Sequence, residues 1–363
     1  MKGTLVFAVA CAWAGTALPA AAALQVQKVE MPGKDGTIAM PRVQPASDPV
    51  AANINDALYR ARFGVFAPAQ AGGKIDADSI DPVAAQDFTV TRNDRIFAVT
   101  FEGEGCGAYC EPYREVLSFD ARSGRLLVPD DLLTPAGQGE ALRLLRRQKV
   151  AAYTAQIAAS RKDLLAARRG KAKADVIDDL QQRIALNTDC LAQANTPSDA
   201  ETLAWHRLNP APDALEVTSA RCSNHASFGL DDVDEVTVRI PYAAIRAQLT
   251  PYGRAVLLGD GDGKPATVFG QILRGTVGAS PVTMVLTGED SDGVHGVYFY
   301  DRVRRELGLA GRRRGNVLEL RETLDAGKTS TGTFVLTIDG LTLKGTWRDP
   351  KSARVLDATL RAP

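Results

Sequence analysis

The chain predicts an α+β protein: an N-terminal α+β domain carrying an inserted helical hairpin, then a C-terminal antiparallel β meander closing as a small barrel or sandwich. Three features predict it. From residue 265 onward, apolar and polar side chains alternate with a period of two between turns such as Arg314-Gly315 and Asp339-Gly340, the pattern of half-buried strands. Across about 139–195, apolar residues recur instead at helical spacing on two successive segments. Between these regimes, Gly259-Asp260-Gly261-Asp262-Gly263-Lys264-Pro265 reads as a linker.

Taken in order, residues 1–23 read as a signal peptide. Lys2 supplies a small positive start, Leu5 to Leu18 an apolar stretch, and Ala20 to Ala23 the small residues of a cleavage site. That stretch falls short of the about 20 residues of a membrane span, and charges interrupt every later apolar run. The expected location is therefore periplasmic or secreted, with no transmembrane helix once the leader is removed. Residues 24–50, with four prolines, read as an extended lead-in holding one strand at Leu24–Val29. Ile54, Leu58, Ala61 and Val65 mark an amphipathic helix over Ala51–Phe66. Strands follow around the Arg92-Asn93-Asp94 turn and again over Tyr113–Phe119. Leu126–Val128 begins another after the Ser123-Gly124 turn.

The hairpin's first arm carries Leu142, Leu145, Tyr153, Ile157 and Leu164, and its second Val176, Ile177, Leu180, Ile184 and Leu191, with a break at Arg168-Arg169-Gly170-Lys171. Between Arg143 and Lys173 ten Lys or Arg stand against one acid, Asp163. This is either a solvated helix face or a basic arm for an anionic polymer. Leu215–Cys222, Ala226–Leu230 and Glu235–Ile240 read as strands and Tyr242–Leu249 as a short helix. The predicted domains are thus 24–258, with the hairpin inserted at about 139–195, and an all-β domain over 265–363 whose eight strands run from Thr267–Arg274 to Val355–Leu360.

A composition of 45% hydrophobic and 24% charged residues is that of a globular chain. A formal net charge of zero removes bulk attraction to nucleic acid. Without the leader, and with it Cys11, four cysteines remain: Cys106, Cys110, Cys190 and Cys222. Four cysteines in an exported chain allow three disulfide connectivities. Nearness in sequence favours Cys106–Cys110 and Cys190–Cys222. Cys222-x-x-His225 and Cys106-x-x-x-Cys110 also have zinc-ligand spacing, a rival that an oxidising compartment disfavours.

The order of "NINDAL", a strand pair before "GAYCEPYREVLSFDARSGRLLVPDDLL", and then "FGLDDVDEVTVRIPYAAIRAQLTPYG" resembles the extracytoplasmic domain shared by the RsiV anti-sigma factor and the PdaC-type peptidoglycan deacetylases, over roughly residues 45–258. The resemblance implies an envelope-binding domain whose partner is peptidoglycan or a lysozyme-like protein. The shared motifs are structural. The helical hairpin looks like an insertion, the cysteine pairs need not belong to the family pattern, and the deacetylase catalytic domain is absent. The C-terminal runs "GVYFYDRVRRELGLAGRRRGNVLELRE" and "LKGTW" look like small β-rich modules of other exported bacterial proteins.

Chemistry is scarce in the sequence. His206, His225 and His295 are the three histidines, none paired at metal-ligand spacing on one element, and no nucleophile elbow, zinc-protease or phosphate-loop motif occurs. No cofactor is expected. Glu102 and Glu104 would suit acid–base work on a glycan if correctly spaced, and loop solubility explains them equally. Tyr109 and Tyr113, beside the first cysteine pair, are candidate contact residues, with hairpin packing as the alternative. Arg302, Arg304, Arg305, Arg312, Arg313 and Arg314 flank one strand of the meander and are candidate anion contacts. The expected function is a non-catalytic binding module for a cell-wall glycan or a muramidase such as lysozyme. The alternatives are a cell-wall hydrolase with an unrecognised site and a small-ligand carrier using the barrel.

Overall fold

A computed structural model describes residues 24–33, 36–69, 73, 75, 83–106, 110–196, 201–290, 293–324 and 329–363. The expected leader at 1–23 lies outside the described residues. An α+β region comes first and an antiparallel eight-stranded barrel last, as the sequence predicts. No helix among the described residues is long and apolar enough to cross a membrane.

The first sheet has the order β1 (Gln25–Pro32), β2 (Thr37–Gln44), β3 (Val83–Arg92), β4 (Ile96–Cys106), β5 (Cys110–Asp120). Strand β2 corrects the reading of 24–50 as a lead-in with one strand. Its residues Ile38 to Val43 are all buried, so no alternation marks it, and Pro41 and Pro45 mask it further. Its ladder to β3 is one parallel pair, Ile38–Gln86, supplemented by Gln86 Nε2 donating to Ala39 O at 2.9 Å.

Helix α1 (Pro49–Phe63) lies on this sheet, capped by Asp48, whose carboxylate accepts from Val50 N, and ended by left-handed Gly64. The polar residues of "NINDAL" are buried fasteners. Asn55 brackets Val43, accepting from its N at 2.8 Å and donating to its O at 2.9 Å. Asn53 Nδ2 donates to Ser123 O at 3.2 Å. The turn there needs Gly124: its φ is +72°, and an added Cβ would lie 2.4 Å from Val50 O.

Helix α2 (Pro129–Leu132) leads into the hairpin of α3 (Pro135–Arg169) and α4 (Ala174–Asn195). Thr134 caps α3, accepting from Gly137 N with Pro135 at the first position, and the arm extends about 52 Å at 1.5 Å per residue. A second sheet has the order β6 (Arg207–Pro210), β7 (Ala214–Ser219), β8 (Val236–Pro241). Between β7 and β8, His225–Leu230 forms a 3₁₀ helix capped by Asn224 rather than the predicted strand. Asn224 accepting from Ser227 N gives the backbone a local alternative to a ladder. Helices α5 (Tyr242–Ile245) and α6 (Pro251–Leu258) close this region.

The barrel closes in the order β10 (Ser280–Asp290), β11 (Gly293–Tyr300), β12 (Leu307–Arg314), β13 (Val317–Leu324), β14 (Thr329–Asp339), β15 (Thr342–Arg348), β16 (Val355–Arg361), β9 (Ile272–Val277). Inward residues such as Met284, Tyr298, Leu320, Phe334, Leu343 and Leu360 fill its interior, as expected at eight strands. Outward positions carry Glu319, Arg321, Lys344 and Asp357, all exposed, unlike the apolar outer band of a membrane barrel.

Barrel and α+β region share a seam. Ile272, Val285 and Phe299 join the core under α1, with Phe66 edge-on to Phe299 at 4.7 Å. Fully buried Arg125 forms a bidentate pair with Asp131 at 2.8 and 2.9 Å and donates to Thr267 O.

Candidate functional site

Three hollows meet around Ala220, between the edge of β5, the segment before β6, and the end of β7. The first, about 590 Å3, runs from β5 past Trp205 to Phe269 at the barrel's entry. The second, about 370 Å3, is walled by α3, α4 and Ser219–Cys222. The third, about 590 Å3, lies toward the Cys106–Cys110 tip and carries Glu102, Glu111, Asp234 and Glu235 against Arg114 and Arg221.

Trp205 belongs to both the first and the second. It ends a one-turn 3₁₀ helix, Leu203–Trp205, whose start Thr202 caps by accepting from Ala204 N. Leu203 is fully buried and pins the turn to the core, so the indole two residues later is directed outward. Trp205 is 66% exposed. Leaving two thirds of an indole in water forgoes about 3 kcal/mol of burial.

The next residue has the opposite character. The His206 side chain is 8% exposed, yet neither ring nitrogen makes a hydrogen bond among the described residues. Nε2 stands 3.4 Å from Glu201 Oε1, close enough for charge contact but without hydrogen-bond alignment. Burial pulls the imidazole below its ordinary pKa, against the opposing pull of Glu201. Glu201 accepts from Arg146 Nη2 at 2.8 Å. Burial disfavours its ionisation, but Arg146 and His206 outweigh that and hold the carboxyl below its usual range. From the next turn of α3, Lys149 Nζ donates to Ser219 Oγ at 3.1 Å, and burial lowers its pKa. The Cys190–Cys222 disulfide ties α4 to the far wall.

Both disulfides form as expected, Cys106–Cys110 at the tip of the β4–β5 hairpin and Cys190–Cys222 across the second hollow. Tyr109 lies outside the described residues. Tyr113 lines the third hollow, but its hydroxyl donates to Gln86 Oε1 at 2.7 Å and its ring lies under Arg62 at 4.5 Å. It also covers Gly103 opposite, where an added Cβ would meet the ring at 2.9 Å. Burial raises its pKa. Glu102 and Glu104 are both exposed on β4, and Glu102 pairs with Arg114 at 3.5 Å.

The arginines divide into two places. Arg304 faces the seam, donating to Ala67 O at 2.6 Å and covering Phe299, and Arg305 follows it. Arg312, Arg313 and Arg314 are exposed at the far end of β12, where Arg313 Nε donates to Gly315 O at 2.7 Å. Eight residues of strand put the two sets about 26 Å apart, so they make no common site.

The sequence reading missed Trp205, Arg146, Lys149 and Glu201. The available signal was "TLAWHRLNP", a Trp–His pair in a segment assigned to no element. In the sequence, the basic residues of the hairpin read as a solvated helix face or a basic arm. That two of them turn inward is visible only in three dimensions.

No protein-family model matches the chain, and no curated protein matches it. Among solved structures, a member of the DUF3298 family from Bacteroides fragilis aligns with 63% of this chain and 94% of its own, at 13% identity and a TM-score of 0.34. A DUF3298 family protein from Pseudomonas aeruginosa covers the same shares at 15% identity and a TM-score of 0.31. Neither comparison identifies an RsiV- or PdaC-type domain. DUF3298 is a bacterial domain family, and so distant a likeness assigns this chain neither membership nor activity.

Proposed function

We propose that the chain is a non-catalytic envelope protein that binds cell-wall glycan across the groove at Trp205. The exposed indole carries this reading. It offers an apolar plate at the meeting of two hollows, the first of which is also lined by Arg114, Arg207, Glu235 and Gln138, and a groove combining a flat aromatic ring with polar groups suits the alternating CH faces and hydroxyls of a sugar chain. The two disulfides are consistent with an exported protein. The packed barrel interior weighs against a small-ligand carrier.

Pull-down on purified peptidoglycan tests it, comparing the intact protein with Trp205→Ala. Retention by the intact protein and a loss of about 30-fold or more in the variant, the scale of a binding hot spot, is the expected result. Absence of retention overturns the glycan reading. A parallel arm with lysozyme addresses the protein partner. The four carboxylates of the third hollow suit a basic protein better than Arg146 and Lys149 do, so capture of lysozyme alone, unaffected by Trp205→Ala, would move the site there.

A further inference from the structure

We infer that the second hollow is a subsite for the carboxylate of an acidic sugar, whose ring lies on Trp205. This rests on the glycan reading and narrows it. The observation that sets the hollow apart is a buried imidazole with no aligned hydrogen bond among the described residues, beside two cations of α3. Lys149 has three N–H groups, of which one goes to Ser219 Oγ among the described residues. Arg146 has five, and among the described residues its one recorded hydrogen bond is to Glu201 Oε2. His206 carries at least one N–H with no aligned hydrogen bond among the described residues, its Nε2 standing 3.4 Å from Glu201 Oε1. Buried polar groups are hydrogen-bonded in the great majority of cases, and an exception calls for a missing partner. Among the described residues His206 is such an exception, whereas Arg146, its side chain 30% exposed, and half-buried Lys149 keep access to water; a negatively charged acceptor reaching both cations would exchange that water for charge-assisted bonds, which are the strong ones.

Glu201 engages Arg146 and reaches His206 only at 3.4 Å, outside hydrogen-bond alignment; its charge and that of Asp231 act on Lys149 without a hydrogen bond to it among the described residues. The third cation of the hollow, Arg221, is committed elsewhere, paired with Glu111 and covering Phe228 at 4.7 Å. At about 370 Å3 the hollow is at the small end of ligand pockets, which span roughly 300–1,000 Å3. That is room for one sugar unit with its acid group, while Trp205 continues the surface into the longer groove where neighbouring units would lie. The Cys190–Cys222 bridge fixes the wall opposite α3, so the cations need little rearrangement to bind.

The test uses two sugars that differ by one acid group: N-acetylmuramic acid, which bears a lactyl carboxylate, and N-acetylglucosamine, which does not. Binding is followed by the fluorescence of Trp205, with inorganic phosphate as a competitor. The expected result is that the acid binds at least about tenfold more tightly, that added salt narrows the difference, and that Lys149→Gln lowers the acid to the level of the neutral sugar. Lys149→Arg keeps the charge and retains at least part of the preference, which separates lost charge from disturbed folding. Equal binding of the two sugars, or an equal loss of both in Lys149→Gln, overturns the subsite. Phosphate displacing the acid at similar affinity with no change at Trp205 also overturns it, leaving a plain anion site. Retention on peptidoglycan without preference for the acid sinks this inference alone. Failure to bind peptidoglycan at all sinks the glycan reading beneath it.

Discussion

Two buried polar groups, one in each half of the molecule, behave differently. Inside the barrel Glu322 is 4% exposed, and both Tyr298 Oη and Trp347 Nε1 donate to its carboxylate, the latter at 2.7 Å. Beside the groove the His206 ring is almost as buried and has no hydrogen bond among the described residues. The tryptophans repeat the contrast: Trp347 is half-buried with its N–H engaged, and Trp205 stands in water. In the barrel Glu322, Tyr298 and Trp347 close on one another, although Thr331 Oγ1 of β14 is also buried without a partner among the described residues. In the groove an exposed indole and a buried imidazole with no hydrogen bond among the described residues stand side by side. The coincidence argues for a ligand more strongly than either observation alone.

The largest effect is expected at the seam between the halves. Asp131→Ala leaves the guanidinium of Arg125, fully buried, without its counterion, and breaking a buried pair in this way costs about 3–5 kcal/mol. Denaturant unfolding of protein beginning at Leu24 measures it, with Trp205 and Trp347 as separate reporters in Trp→Phe single-tryptophan backgrounds. If residues 265–363 form a folding unit of their own, as the linker at 259–265 suggests, the Trp205 transition moves and the Trp347 transition moves less. Coincident shifts would make the two halves one cooperative unit, with the shared core at Ile272, Val285 and Phe299 as the reason.

Next in size is the direct comparison of the two buried groups. Glu322→Ala strands the Tyr298 hydroxyl and the Trp347 indole N–H, and each unsatisfied group costs about 1–3 kcal/mol. His206→Phe removes no hydrogen bond, so stability should change by less than about 1 kcal/mol while sugar binding falls. A His206→Phe protein destabilised as strongly as Glu322→Ala would show that the histidine is a structural group, and the contrast between the halves would fail.

What the sequence made legible follows the reach of its signals. The barrel was readable because Leu318, Leu320, Phe334 and Leu336 alternate with exposed neighbours at a period of two, and the helical hairpin because its apolar positions keep a helical period. Both cysteine pairs followed from nearness along the chain. Strand β2 was not readable, since burial of Ile38 to Val43 on both faces erases alternation. The second hollow was unreadable for another reason. Arg146 and Glu201 are 55 residues apart, as are members of the ion pair they make, and Lys149 and Ser219 are 70 apart. No local pattern records such a meeting. Only the bare Trp–His pair was visible, and an indole's exposure is not a property of its neighbours in sequence.

The smallest effect is on acid stability, and it isolates His206. Burial, chiefly, holds this imidazole below its ordinary value of 6.5, with the Lys149 charge acting the same way and Glu201 opposing. The unfolded chain therefore takes up a proton near pH 6.5 that the folded chain resists, so stability falls as pH drops below about 6.5 and levels off once the folded histidine is also protonated. Glu201 acts lower down. Its folded carboxyl is held below 4.5 despite burial, by Arg146 and then His206, so its contribution is present above 4.5 and disappears as pH falls further. Lys149 is lowered by burial, so its folded form sheds its proton before the unfolded one and its contribution to stability grows as pH rises toward 10.5. Melting temperatures at pH 7.5 and 5.5 should therefore differ less in His206→Gln than in the intact protein, while the fall below pH 4.5 remains. An unchanged slope between 7.5 and 5.5 would mean that the histidine already has a proton acceptor in the folded chain, and the open donor set beside Trp205 would lose its most buried member.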